Sequence, residues 1–263
     1  MRIDLHNHTP LCNHASGNPE EYITRAIELG IGIYGFACHA PMDFDEKYRM
    51  HQTQLTQYLT MLKNLRDKYA NRIDLRIGLE VDFILGREDL LLESVLNCEV
   101  DYLIGSVHFL NEWGFDNPEF IGKYASIDTQ KCWEHYLDSI EAMAKSEYFQ
   151  IIGHFDLFKI FNNKPPKALY PKIKHTLQTI KTHSCVLEIN AAGLRKPCKE
   201  HYPSKEILTI AREFDIPITL SSDAHSVENV GFGYEECKNT ALELGFRQVC
   251  AFKDKQMQVF DIN

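Results

Sequence analysis

Two short segments hold the densest chemistry in this sequence: Asp4-Leu-His6-Asn-His8 near its start and Ser221-Ser-Asp223-Ala-His225 near its end. Alternate residues of a strand point to one face, so His6 and His8 can reach the same ion. An isolated His-x-His is common by chance. Here, however, His14, His39, Glu80, His108 and His154 lie between the two segments, at or just beyond the ends of short apolar runs. Neutral imidazoles and carboxylates gathered in one place are costly to desolvate unless they share cations. Imidazole with carboxylate suits zinc, iron or manganese. The chemistry such ions bring is an acidified water and a sink for developing negative charge.

The elements that must position these groups alternate along the chain. Strand-length apolar runs are Arg2–His6, Ile33–Cys38, Leu75–Val81, Tyr102–Val107, Gln150–His154, Val186–Asn190 and Ile216–Ser221. Helical periodicity falls between them, at Pro19–Leu29, His51–Tyr69, Glu88–Leu96, Asp128–Lys145, Tyr170–His183, Ser204–Phe214 and Gly233–Leu244. Asn18 caps the first helix, Pro19 suits its opening position, Glu21 completes a capping box and Gly30 ends it. Such alternation predicts a parallel sheet with helices outside it. Seven units and a short apolar run at Gln248–Phe252 fit a closed or nearly closed barrel. No Gly-x-Gly-x-x-Gly follows an early strand, so an open dinucleotide-binding sheet has no support. Functional groups of a barrel come from the C-terminal strand ends. Seven of the twelve histidines fall there, while His51, His135, His175, His183 and His201 do not.

Bulk properties limit the partners. The chain of 263 residues suits one domain spanning 1–263, with ordinary apolar (44%) and charged (25%) fractions. Met1 leads directly into Arg-Ile-Asp-Leu-His, without a secretory apolar stretch, and no run resembles a membrane span. The expected compartment is the cytoplasm. The eight cysteines form no Cys-x-x-Cys pair and are read as reduced. A formal charge of −9 argues against a nucleic-acid binder, and bound cations would reverse its local sign at an anion site. The oligomeric state is not legible.

Taken together, the segments resemble the PHP (polymerase and histidinol phosphatase) family, and within it the stand-alone histidinol-phosphatase branch. They are Asp4–His8, Cys12–Ala15, Gly35–Pro41, Gly78–Asp82, Gly105–Phe109, Trp113–Asp116, Gly153–Asp156 and Ser221–His225, and they cover nearly the whole chain. The resemblance implies a distorted seven-stranded (β/α)7, TIM-like barrel holding three metal ions (zinc, iron or manganese). It implies that His6, His8, Glu80 and Asp223 hold the first ion, that Glu80 bridges to a second with His108 and His154, and that His14, His39 and His225 hold the third. It also implies hydrolysis of L-histidinol phosphate, a step of histidine biosynthesis. Another small phosphate ester or nucleotide is the alternative. The expected mechanism is in-line attack on phosphorus by a hydroxide bridging the first two ions, without a phosphoenzyme.

Glu80, Asp223 and His225 are then candidate catalytic residues as well as ligands, with Arg195 beside them. Arg195 follows the sixth strand in Asn190-Ala-Ala-Gly-Leu-Arg195, where a guanidinium fork suits phosphate oxygens. Asp116 is expected to meet the ammonium of the substrate, and Trp113 and Phe158 to face its organic part. Asp4 is expected to orient a ligand histidine through the second ring nitrogen. Ser221 and Ser222 lack a Gly-x-Ser-x-Gly elbow and suit hydrogen bonding better than nucleophilic attack. Cys12, between two ligands, is read as a loop thiol. An amidohydrolase-type barrel is disfavoured because the fourth strand ends Gly105-Ser-Val-His108, without the lysine that bridges its metals. A PHP scaffold that has lost its chemistry is disfavoured because no ligand position is vacant.

Overall fold

In the computed structural model, which describes residues 1–262, seven parallel strands form one sheet in the order β1-β2-β3-β4-β7-β8-β9. They are β1 (Ile3–Asp4), β2 (Ile33–His39), β3 (Asp74–Asp82), β4 (Tyr102–Ser106), β7 (Ile151–Ile152), β8 (Val186–Asn190) and β9 (Ile218–Ser221). A single parallel bridge, Asn7 to Ala224, joins the two edges just past β1 and β9, so the sheet curls into a nearly closed barrel. The strands are buried along nearly their full length, as expected where helices cover the outside.

The outer helices are α1 (Pro19–Glu28), α2 (Leu55–Tyr69), α3 (Glu93–Leu96), α4 (Thr129–Lys145), α5 (Tyr170–Thr182), α6 (Lys205–Glu213) and α7 (Tyr234–Glu243). The Asn18–Glu21 capping box forms as expected; Asp128 caps α4 and Ser204 caps α6 through the backbone N–H three residues on. The helix expected over Glu88–Leu96 is instead a 3-10 turn at Glu88–Leu90 followed by the single turn of α3. Leu90 packs into a small cluster with Met42, Ile84 and Phe109, whereas Val95 packs into the main core. These two anchors, with the uncapped, extended Leu91-Leu92 between them, prevent one continuous helix.

Two further hairpins complete the chain. β5 (Phe109–Leu110) pairs with β6 (Trp113–Gly114) above the rim, followed by a 3-10 stretch at Pro118–Ser126. The chain from 109 to 126 is therefore ordered structure rather than an irregular loop. β10 (Gln248–Lys253) pairs antiparallel with β11 (Gln256–Asp261) at the opposite end, where Arg76 donates to the Phe252 carbonyl at 2.6 Å. Inside the barrel, Tyr102 crosses the floor and donates to the Leu5 carbonyl at 2.6 Å. A Cβ at Gly35 or Gly78 would come within 2.1 or 2.4 Å of that side chain, so both positions require glycine. Among the described residues, no helix is long and apolar enough to cross a membrane.

Candidate metal centre

Glu80, on β3, stands at the centre of the rim cluster. Its Oε1 lies 2.9 Å from His154 Nε2 and 3.6 Å from His108 Nε2. Its Oε2 lies 3.0 Å from His39 Nδ1, 3.3 Å from His6 Nε2 and 3.7 Å from His8 Nε2. Five imidazoles from four strand ends thus face one carboxylate. Asp223 Oδ1 is 3.2 Å from His8 Nε2 and 3.3 Å from His225 Nδ1, and the His225 ring stacks on His8 at 3.8 Å. The expected ligands all converge, with His14 at the outer edge 4.7 Å from the His225 ring.

Electrostatics agree with a cation-binding role. Burial alone would raise Glu80, yet His39, His6, His108 and His154 hold it well below the carboxylate range. Burial also opposes ionisation of Asp223, which His6, His8 and His225 nonetheless hold well below its ordinary value. Burial, with the charge of His8, drives His225 well below the usual imidazole value, and burial lowers His39. Ionised carboxylates and the neutral imidazoles of His39 and His225 are the forms that metals take, whereas His6, His8 and His108, raised by the neighbouring carboxylates, give up a proton to an ion. His6 Nε2, both nitrogens of His8, His39 Nδ1, Glu80 Oε2 and Asp223 Oδ1 are buried without a hydrogen-bond partner among the described residues. Each such orphan costs about 1–3 kcal/mol unless an ion satisfies it. The donor set therefore fits metal ions. Asp223 (φ 52°) and His154 (φ 22°) also hold left-handed backbone, strain of the kind that collects at functional sites.

Two carboxylates that the sequence reading did not assign orient the ligands. His6 Nδ1–H donates to Glu188 Oε1 at 2.7 Å, and the His154 N–H donates to Glu188 Oε2 at 2.7 Å. His108 Nδ1–H donates to Asp82 Oδ1 at 2.6 Å, while Arg49 pairs with Asp82 Oδ2 at 2.9 Å. The two ring contacts fix the tautomers of His6 and His108, leaving their Nε2 free to face the centre. Asp4 does not take this role. It accepts from the Ser222 N–H and hydroxyl, from Asn7 and from the Gly231 N–H, and so ties β1 to the chain beyond β9. Ser221 donates to Glu188 at 2.6 Å, consistent with hydrogen bonding rather than attack.

The centre opens into a cavity of about 480 Å³ lined by His14, Asp45, Tyr48, Asp116, Arg195 and Tyr202, among others. Arg195 is anchored by one nitrogen, NH2, which donates to the carbonyls of Ser222 and Asp223 at 2.9 Å each. Its NH1 is buried without a partner among the described residues, and its guanidinium lies 4.8 Å over the Phe232 ring. Trp113 and Phe158 lie elsewhere. They are buried in an aromatic cluster with Phe115, Tyr124 and Trp133, ring centroids 4.9–6.4 Å apart, and do not line the cavity. Their burial explains the order of the β5–β6 hairpin better than substrate contact does.

The model of the PHP domain matches residues 4–192, and that of a PHP-associated segment matches residues 204–243. The chain belongs to the PHP family. This PHP protein is 39% identical over 258 residues to a probable histidinol-phosphatase of Deinococcus radiodurans, covering 97% of this chain and 98% of that one. Among solved structures it resembles a putative histidinol phosphatase of Listeria monocytogenes, with a TM-score of 0.82, 27% identity and coverage of 89% and 99% of the two chains. The fold also matches the histidinol phosphate phosphatase of Lactococcus lactis, solved with zinc, L-histidinol and phosphate, at a TM-score of 0.85, 19% identity and 98% coverage of each chain.

Proposed function

We propose that this PHP protein is a phosphoric monoester hydrolase that cleaves L-histidinol phosphate to L-histidinol and phosphate, within histidine biosynthesis. The observation that carries the reading is the convergence of five imidazoles on Glu80 beside the unpaired NH1 of Arg195, at the base of one cavity. The strong likeness to a probable histidinol-phosphatase supports the choice of substrate.

The donors divide into three sets for three divalent ions, zinc, iron or manganese. His6, His8, Glu80 and Asp223 form one; Glu80, His108 and His154 a second; His14, His39 and His225 a third. Ions there supply an acidified water and positive charge for the phosphoryl oxygens. The side chains do the rest. Glu188 and Asp82 hold the His6 and His108 rings in the tautomer that presents Nε2. Arg195, with NH2 committed to two backbone carbonyls, presents NH1 to a phosphate oxygen. Asp116, on the cavity wall, accepts the ammonium of the amino alcohol.

The test is steady-state phosphate release from L-histidinol phosphate beside p-nitrophenyl phosphate and a nucleotide phosphodiester, with metal content measured on the same sample. A kcat/KM for histidinol phosphate orders of magnitude above the others, with about three ions bound, is the expected result. Equal slow turnover of every ester by the fully loaded protein would overturn the substrate assignment.

A further inference from the structure

The metal centre, Arg195 and Asp116 account for a phosphate and an ammonium, but they leave the imidazole of the substrate without a partner. Trp113 and Phe158 are enclosed in their own aromatic cluster. Four Phe and Tyr side chains do line the cavity: Tyr48, Phe109, Phe120 and Tyr202. Three of them are committed. Phe109 is buried with Met42, Ile84 and Leu90, its ring centroid 5.1 Å from that of Phe44. Tyr202 is buried edge-on to His154, at 6.4 Å. The Tyr48 ring stands edge-on to His14 at 5.8 Å, with Lys47 Nζ 4.7 Å from its centroid. Phe120 has no ring or cation against it among the described residues, and it is 49% exposed.

A lone exposed phenylalanine is ordinary on a protein surface. This one differs in where it is held. It sits on the 3-10 stretch Pro118–Ser126, none of whose residues is buried, so the core does not require a ring there. The stretch is also tied to the other aromatic at the mouth of the cavity. Glu119 Oε1 accepts from the Tyr48 hydroxyl at 3.3 Å and from Lys47 Nζ at 3.2 Å. Asn117 fixes the start of the stretch by accepting the Glu119 N–H at 2.9 Å. Tyr124 fixes its end, donating to the Phe115 carbonyl at 3.1 Å and stacking on Phe158.

We propose that Phe120 is the specificity-determining residue for the ring end of the substrate, lying against the imidazole of L-histidinol phosphate while the phosphate sits at the metal centre. The inference rests on histidinol phosphate being the substrate. The order of groups along the cavity supports it. In the substrate, the carbon bearing the ammonium lies between the phosphate ester and the imidazole. In the protein, the Phe115 N–H donates to the His108 carbonyl at 3.2 Å, which keeps the next residue, Asp116, at the rim beside the metal ligands. Phe120, four residues further on and half exposed, lines the same cavity toward solvent. Metal centre, carboxylate and ring thus follow in the order of phosphate, ammonium and imidazole. A planar imidazole gains from packing on an aromatic ring, and its protonated form adds a cation–π attraction. The Lys47–Glu119 pair is exposed and weak, so the stretch can lift to admit substrate and settle over it.

Steady-state kinetics of the full-length, metal-loaded protein on two esters test this. One is L-histidinol phosphate; the other is O-phosphoethanolamine, which keeps the phosphate and the ammonium but has no ring. Phe120→Ala is expected to raise KM for histidinol phosphate about 10-fold, the scale of one lost aromatic contact. Its kcat should be nearly unchanged, as for binding shared by ground and transition states. Its kinetics on phosphoethanolamine, its metal content and its Tm should match wild type, because the ring is not part of the core. Phe120→Tyr, which keeps a ring, should hold KM near the wild-type value. An unchanged KM for histidinol phosphate in Phe120→Ala overturns the inference. So does a rise of equal size for both esters, or a KM in Phe120→Tyr as high as in Phe120→Ala. Wild type that shows no preference for histidinol phosphate over phosphoethanolamine overturns the substrate assignment itself, and this inference with it.

Discussion

His6 Nδ1 and Glu188 Oε1 lie 2.7 Å apart beneath the rim, both essentially inaccessible to solvent. Glu188 also receives the His154 N–H, the Ser221 hydroxyl and the Asn190 amide, so one carboxylate sets the position of two ligand-bearing strands. Glu188→Gln keeps the shape but removes the charge that makes His6 a strong donor. Metal affinity is expected to fall about 10–100-fold. Chelator-competition titration reads this directly, and unchanged affinity would refute the positioning role.

The metal-free protein should respond to alkaline pH in a way the loaded protein does not. Burial disfavours the proton on His8, yet Asp223 and neighbouring groups raise it to about 9. His108 is likewise opposed by burial but raised to about 10 by Asp82 and Glu80. A histidine raised on folding contributes stability fully present below about pH 6.5 and lost as pH climbs through the folded value. His39 and His225 are lowered, so they add no slope above neutrality. The Tm of the stripped protein should therefore decline between pH 7 and about 10. Ions displace these protons, so the stabilisation by added metal should grow over the same interval. Parallel Tm profiles with and without metal would contradict the assignment.

The histidines were legible because barrel geometry sends strand ends to one rim, so position along the chain predicted position in space. Their partners were not. Glu188 is plainly an acid inside the apolar strand Val186–Asn190, but nothing local says that it faces His6, 182 residues away. Asp4 misled for the same reason, since its partners lie beyond β9. β1 was read two residues too long at its C-terminal end because His6 and His8 continue an alternating pattern after the chain has left the ladder. The β10–β11 hairpin was half seen. Its turn, Asp254-Lys255, carries the two positive φ values of a tight hairpin without the usual glycine, and Met257 and Val259 on β11 face solvent.

Arg195 offers a sharper test than most phosphate-binding arginines because half its fork is committed to the backbone. Arg195→Ala should lower kcat/KM by about 100-fold or more, the scale for removing one donor to developing charge. Arg195→Lys should recover little, because an ammonium cannot anchor on both carbonyls and still reach phosphate. Metal content should be unchanged in both. A loss of only a few-fold in the alanine variant would remove Arg195 from the site.

Asp116 separates recognition of the organic part from the chemistry. Asp116→Asn is expected to raise KM for histidinol phosphate about 10-fold, the scale of 1.4 kcal/mol in a charged hydrogen bond. Turnover of p-nitrophenyl phosphate, which has no ammonium, should hardly change. An equal effect on both esters would assign Asp116 to the metal centre or to the fold instead.

Phe158 distinguishes a core aromatic from a substrate wall. Its ring is fully buried, 5.2 Å from Phe115 and from Trp133, and 6.0 Å from Trp113. Phe158→Ala leaves a cavity among rings that cannot collapse onto it, so a loss of about 3–5 kcal/mol in unfolding free energy is expected. Once corrected for the folded fraction, KM for histidinol phosphate should stay within a few-fold of wild type. Phe158→Leu, which keeps most of the volume, should recover much of the stability. A large KM increase in Phe158→Leu at full stability would return this residue to the substrate site, and would mean that the β5–β6 hairpin moves to expose it.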